Sequence, residues 1–321
     1  MPHLTSNHWP LTAGVDGLPP GQRIARVDTP FQCIEIWDTP TLGRLYTLDG
    51  RPMAATGDEY IYHECMTHPA ALTLAAPRRA LVLGGGDGGA ARELLKHPSI
   101  TEIVIAELDA QVVAMARRYF ALLHQGAFDD PRVALRIGDA ADFVSRHAGS
   151  GAAPFDLAIF DLTPPDSPAH GLFSAAFFER LKTVLTPQAL ISVHLGAPST
   201  EPARVHRVWQ DLRSAFRQVR IMTAEIPTYG GLWAMALAGD DEIGADDGIA
   251  RNTEIPADDD EIAADTKRRS PRIAVDPATL STEFVAATLA ARHIEGLRYY
   301  NAARHPALFV PPACLRHLIA V

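Results

Sequence analysis

Hydrophobic and polar positions divide the chain into stretches of different period. Between 23 and 58 they alternate: Phe31-Gln32-Cys33-Ile34-Glu35-Ile36-Trp37, a turn at Pro40-Thr41-Leu42-Gly43, then Arg44-Leu45-Tyr46-Thr47-Leu48 closing at Asp49-Gly50. Period two with Gly and Pro between the runs predicts a β-hairpin or small meander. From 59 to about 238, short apolar runs alternate with helical stretches. Strands are expected at 79–83, 103–106, 133–137, 155–160 and 189–193, and helices at 60–74, 90–97 and 110–119. Apolar strands alternating with helices predict a doubly wound parallel α/β sheet. The chain is thus read as a loose tail over 1–22, a small β domain over 23–58 and an α/β domain over 59–321. An acidic insertion at 240–272 interrupts the last, and an amphipathic helix is expected over 277–293.

Composition narrows the class. Apolar residues make up 47% and charged residues 21% of the 321 positions, which excludes a disordered or collagen-like chain. No apolar run approaches the roughly 18 residues of a membrane span. The N-terminus is polar and rich in Pro and Gly, without the pattern of a secretory signal, so a cytoplasmic location is expected. Three scattered cysteines, Cys33, Cys65 and Cys314, fit free thiols better than a disulfide framework or a zinc cluster. The net charge of −9 is local: residues 240–265 hold eleven acids against one base, Arg251. The segment reads as an exposed linker, and the remainder offers no large basic face for nucleic acid.

The chemistry lies at the strand ends, where open α/β sheets bind ligands. Four of them carry an acid: Asp87, Glu107, Asp139 and Asp161. The loop Gly84-Gly85-Gly86-Asp87-Gly88-Gly89 lets backbone approach a ligand closely. A carboxylate within it repels phosphate and suits a cationic group. Glu107, about twenty residues on, stands where an acid accepts from ribose hydroxyls. Asp139, followed by Ala140, lies near the expected adenine edge, with a helix N-cap as the lesser alternative. Asp161 enters a loop with three prolines before Ala169-His170-Gly171, and a strand-end acid there is a catalytic candidate.

These residues carry a resemblance. Leu83 to Gly89 with Arg92-Glu93 and Lys96-His97-Pro98, Asp58-Glu59-Tyr60 with Tyr62-His63-Glu64, Asp129-Asp130-Pro131-Arg132-Val133, Pro168 to Phe173, Ile226-Pro227-Thr228-Tyr229 and Tyr299-Tyr300-Asn301 resemble the polyamine aminopropyltransferases, the spermidine and spermine synthase family. The match runs from about 24 to 238 and resumes near 272. The resemblance implies a Rossmann-like sheet of the class I methyltransferase type and transfer of an aminopropyl group from decarboxylated S-adenosylmethionine to an amine, releasing methylthioadenosine. No metal or resident cofactor is expected, and a homodimer is expected by analogy.

Carried onto this chain, Gln32, Gly84, Gly86, Asp87, Glu107, Asp139, Ala140 and Pro168 would hold the donor. Asp161 would accept the proton, and Tyr62, His63, Asp161, Asp166 and Tyr229 would hold the amine. Asp87 would also repel the carboxylate of intact S-adenosylmethionine. One departure stands out: spermidine synthases read Asp-Ser-Ser-Asp-Pro where this chain reads Asp161-Leu162-Thr163-Pro164-Pro165. The second acid is Pro164, so the acceptor is left open between putrescine and a longer amine, with Asp166 as a substitute charge. His194, in place of a family glutamine, is read as structural. The alternatives are a methyltransferase on the same fold and a non-catalytic polyamine- or nucleoside-binding protein.

Overall fold

In the computed structural model, the described residues are 21–164, 167–240 and 276–319. The tail expectation, apart from its last two residues, and the acidic insertion, apart from Asp240, lie outside them, as does Asp166. Strands β1 (Gln22–Asp28), β2 (Cys33–Thr39), β3 (Gly43–Leu48) and β4 (Arg51–Ala55) form an antiparallel sheet in sequential order. The alternation seen in the sequence sends Ile34, Ile36 and Leu48 to one face. There they meet Val112, Met115, Phe120 and Leu123 and dock the small sheet onto the α/β unit.

Helix α1 (Glu59–Thr73) leads into the central sheet. Its strands are β5 (Arg79–Gly84), β6 (Glu102–Glu107), β7 (Val133–Ile137), β8 (Phe155–Asp161), β9 (Leu185–Gly196), β10 (Gln218–Ile226) and β11 (Gly231–Gly239), in the spatial order β10-β11-β9-β8-β5-β6-β7. The five strands β5 to β9 are parallel. Strands β10 and β11 run antiparallel at one edge. The doubly wound parallel sheet is as expected, and residues 218–239, for which no strands were expected, add a hairpin to its edge around the turn Pro227–Tyr229. An antiparallel edge on a parallel sheet is a common arrangement. The expected helix over 277–293 is a 3-10 turn, Pro277–Thr279, followed by a helix over Thr282–Ala291.

Helices cover both faces. Val82, Ile105, Leu157 and Ile159 pack toward α1 and α2 (Gly89–Leu95), while Leu81, Leu83, Val104 and Phe160 pack the other way. Period-two alternation within doubly buried strands divides the core into these two layers. The chain winds outward from β5 through β6 to β7 and then returns to place β8 on the other side of β5. That reversal opens a crevice at the carboxyl ends of β5 and β8. No helix among the described residues is long and apolar enough to cross a membrane.

Glu64 ties the C-terminal segment to α1. Buried at 1% exposure, its carboxylate accepts the backbone N–H groups of Arg298, Tyr299 and Tyr300 at 2.8, 2.9 and 2.7 Å. Replacing Glu64 with Ala removes the acceptor of three backbone donors, the Tyr300 N–H among them buried, and is expected to cost about 1–3 kcal/mol. Urea denaturation checks this, with a smaller loss expected for Glu64→Gln.

Candidate active site

The register of β5 on β8 pairs Gly84 with Asp161. The backbone turns there with φ of +76° at Gly84 and +73° at Gly85, a region that side chains rarely adopt. A Cβ on Gly86 would lie 2.7 Å from Glu107 Oε2, so the glycine lets the acid at the end of β6 come beneath the loop. Glu107 accepts N–H donation from Gly86 at 3.1 Å and from Asp109 at 2.9 Å. Burial pushes its carboxyl up to about 7.

One cavity opens over these strand ends. Gln32, Tyr62, His63, Gly84, Gly86, Asp87, Glu107, Asp139, Ala140, Asp161, Pro168 and Tyr229 all line it. Every expected site residue that lies within the described residues therefore meets in one place. Gln32 reaches Asp109 Oδ2 at 3.3 Å. Asp139 caps the helix Ala140–Ala148, accepting the Asp142 N–H at 2.9 Å. The cap and the cavity-lining position coexist, since the cap uses one oxygen.

The acidic end is the most unusual part. Asp87, 4% exposed, accepts the Gly89 N–H at 2.8 Å through Oδ1 and directs Oδ2 toward His63 Nε2, 3.6 Å away. Asp161 Oδ2 lies 3.7 Å from the same nitrogen and has no hydrogen-bond partner. Burial first and the neighbouring Asp87 charge second push the Asp161 carboxyl up to about 7, with His63 restraining the rise. Neither aspartate is engaged by an arginine in the ion pairs of the described residues; Arg92, the nearest buried guanidinium, holds Glu59 and Glu93 instead. Ligand atoms of His63, Asp87 and Asp161 lie within 4.8 Å of one another.

Beside the acids is an aromatic wall. Tyr62 and Tyr229 meet edge to face at 5.8 Å. The Tyr62 hydroxyl donates to the Phe160 carbonyl at 3.4 Å and that of Tyr229 to the Met53 carbonyl at 2.7 Å. His194 lies behind them, stacked on Trp233 at 6.0 Å, and burial lowers its ring to about 3, consistent with a neutral packing residue. Tyr46 and Met53 of the small sheet also line the cavity, and the sequence reading gave them no role. The β3 alternation was the available signal, since it sends Tyr46 and Leu48 to one face. Asp58 was likewise missed: it accepts from Thr228 at 2.7 and 2.6 Å and so ties the Tyr229 turn to the start of α1.

The fold and pocket define an α/β protein with an acid-lined cavity at the carboxyl ends of its parallel strands. A model of the spermine/spermidine synthase domain matches residues 59–245. The chain is 34% identical over 297 residues to a polyamine aminopropyltransferase of Nitrosomonas europaea, covering 92% of this chain and 80% of that protein. It is 38% identical over 221 residues to one of Thermoplasma volcanium, covering 68% and 79%. Among solved structures, a spermidine synthase in complex with the transition-state analogue AdoDATO superposes with a TM-score of 0.75 at 25% identity, covering 93% of this chain and 88% of that one. Spermidine synthase from Thermotoga maritima gives 0.74 at 25% identity, covering 93% and 87%. The chain belongs to the spermine/spermidine synthase family. The expected family, transferase class and fold are thereby borne out.

Ionisation of Asp161 has a stability consequence. An unfolded aspartate titrates near 4 and the folded one at about 7. The native state therefore holds its proton longer, and this group lowers stability as pH rises from about 4 to about 7. Asp161→Asn is expected to stabilise the ligand-free protein by about 1–4 kcal/mol at pH 8, with the gain vanishing near pH 4. Denaturation at both pH values tests this, and a gain independent of pH contradicts it.

Proposed function

We propose that the protein transfers the aminopropyl group of decarboxylated S-adenosylmethionine to an amine of a polyamine, releasing 5′-methylthioadenosine. The observation that carries this reading is the pair Asp87, buried, and Asp161, its side chain 10% exposed, both facing one cavity, with Asp161 Oδ2 left without a donor. The glycine loop and Glu107 take the nucleoside, with the ribose hydroxyls against the Glu107 carboxyl. Asp139 and Ala140 border the adenine, and Gln32 and Pro168 close the donor side. Asp87 receives the donor's primary ammonium.

The acceptor amine arrives protonated, with a free pKa of about 10.4 as for lysine. Asp161 takes the proton, and the freed lone pair attacks the methylene beside the sulfonium. The C–S bond breaks, its electrons go to sulfur, and a neutral thioether departs. A placed base typically contributes about 10²–10⁴-fold. Asp161 also stabilises the charge growing on nitrogen, and Tyr62, Tyr229 and His63 flank the acceptor's path. A methyltransferase would need room for the methionine carboxylate, which the buried Asp87 opposes. Pro164 in place of an acid favours acceptors that do not depend on a second carboxylate there, with spermidine beside putrescine. A cytoplasmic homodimer is part of this reading, supported by the family resemblance, and sedimentation tests the dimer.

The test is incubation with decarboxylated or intact S-adenosylmethionine across putrescine, cadaverine, agmatine and spermidine, with products identified by mass. Aminopropylated product from the decarboxylated donor alone supports the proposal, and methylated product overturns it. Asp161→Asn is expected to lower turnover by at least about 10²-fold while donor affinity changes little. Retained turnover would remove Asp161 from the base role.

A further inference from the structure

We infer that His63 is a fixed cation, held by Glu59 and Arg92, which keeps Asp87 ionised and sets how readily Asp161 takes a proton. The inference rests on the aminopropyl-transfer reading and gives a role to the Glu59 and Arg92 positions, which the substrate contacts leave unexplained. His63 acts here through the two aspartates, as a positioning residue.

The geometry leaves little choice of protonation. His63 Nδ1 lies 2.7 Å from Glu59 Oε2, one helical turn back on α1. Glu59 is itself clamped by Arg92, whose Nη1 and Nη2 donate to its two oxygens at 2.8 and 3.0 Å. A carboxylate so engaged is an acceptor, so Nδ1 carries a proton. The opposite nitrogen, Nε2, faces Asp87 Oδ2 and Asp161 Oδ2 at 3.6 and 3.7 Å, and no donor reaches it. A neutral ring would aim its lone pair at two carboxylate oxygens. A second proton turns that repulsion into attraction in a poorly screened site. The ring cannot swing aside: it packs against Gly89, where a Cβ would collide with it, and meets Tyr62 edge-on at 5.2 Å.

The other groups around the cavity do not change the sign. Burial holds the phenols of Tyr46, Tyr62 and Tyr229 well above their usual range, so they stay neutral. Burial holds His124, on the far side of Asp87, below the usual histidine range. Asp58 is spent on Thr228, and Glu107 is held by the Gly86 and Asp109 amides. The N-terminus of α2 opposes a cation, yet Asp87 Oδ1 already occupies the Gly89 amide. Burial alone would strip the second proton from His63, but Asp87, Glu59 and Asp161 outweigh it and hold the ring well above the histidine range. The reciprocal effect shows on the acids: against the pull of burial, His63 keeps both Asp87 and Glu59 below the usual carboxylate range. A fixed cation next to Asp161 also disfavours a protonated amine nearby. The same charge lowers the proton affinity of Asp161, so acceptor and base shift in the same direction.

The test has two parts. In the ligand-free full-length protein labelled with ¹⁵N-histidine, His63 is assigned among the 13 histidines by its loss in His63→Gln. Both ring nitrogens are expected to be protonated at pH 7, with the titration midpoint falling by about one unit or more in Glu59→Gln. A neutral His63 ring at pH 7, or an unmoved midpoint, overturns the inference. In kinetics, His63→Gln is expected to move the acid limb of kcat/KM up by about one pH unit, with most of the rate recovered at alkaline pH. An equal loss at every pH would mark a merely structural role. Should His63→Gln fail to fold, the titration of Glu59→Gln, assigned by comparison with wild type, still decides. The spectra need no substrate, so a protein that transfers no aminopropyl group would sink the functional reading while the charge on His63 is measured independently.

Discussion

Asp161 ends β8 with one carboxylate oxygen desolvated, unpartnered and 3.7 Å from His63 Nε2, while Asp87 adds a second buried acid to the same cavity. Two carboxylates side by side in a closed site repel, and ordinary folding would remove one or pair both with guanidinium groups. This chain keeps them and tolerates the stability loss. The pocket's excess of acid follows from that, and His63 Nε2 is the nitrogen that faces both carboxylates. A carboxyl held above its ordinary range in such a site is the kind of group a fold can offer as a general base.

Everything nearby serves to hold those acids in register. The β5–β8 pairing sets Gly84 beside Asp161. The left-handed turns at Gly84 and Gly85 bring the loop across the strand end, and the bare Cα of Gly86 lets Glu107 beneath it. From the other side, α1 supplies Tyr62 and His63 on one turn, with Glu59 one turn earlier and Glu64 pinning the chain's last segment behind them. The small β sheet closes the cavity with Tyr46 and Met53 and takes the Tyr229 hydroxyl on the Met53 carbonyl. The cavity is thus bounded by two sheets, an arrangement that suits holding two reactants in a fixed orientation.

Much of this was legible in the sequence, because strand-end acids are written in local pattern. Asp87, Glu107, Asp139 and Asp161 each follow a short apolar run, and the fold then brings those run ends together. The edge hairpin was not legible: β10 and β11 are buried on much of their length, and their apolar runs carry little alternation, so period did not separate them from the neighbouring segments. Glu59, Arg92 and Glu93 stood in recognised motifs but had no assigned work. Their meaning depends on α1 and α2 packing side by side, a long-range contact that spacing along the chain does not express. Asp139 showed the opposite ambiguity, since both readings, cap and cavity wall, are realised at once.

The account stands on the pocket's preference for positive charge without an accompanying carboxylate. Calorimetric titration of the wild-type protein with decarboxylated S-adenosylmethionine, intact S-adenosylmethionine and methylthioadenosine tests it most directly, because these ligands share the nucleoside and differ in the charges beyond it. The decarboxylated form should bind tightest, and the intact form at least about tenfold more weakly, a difference of about 1.4 kcal/mol. Equal or tighter binding of the intact form would contradict the account.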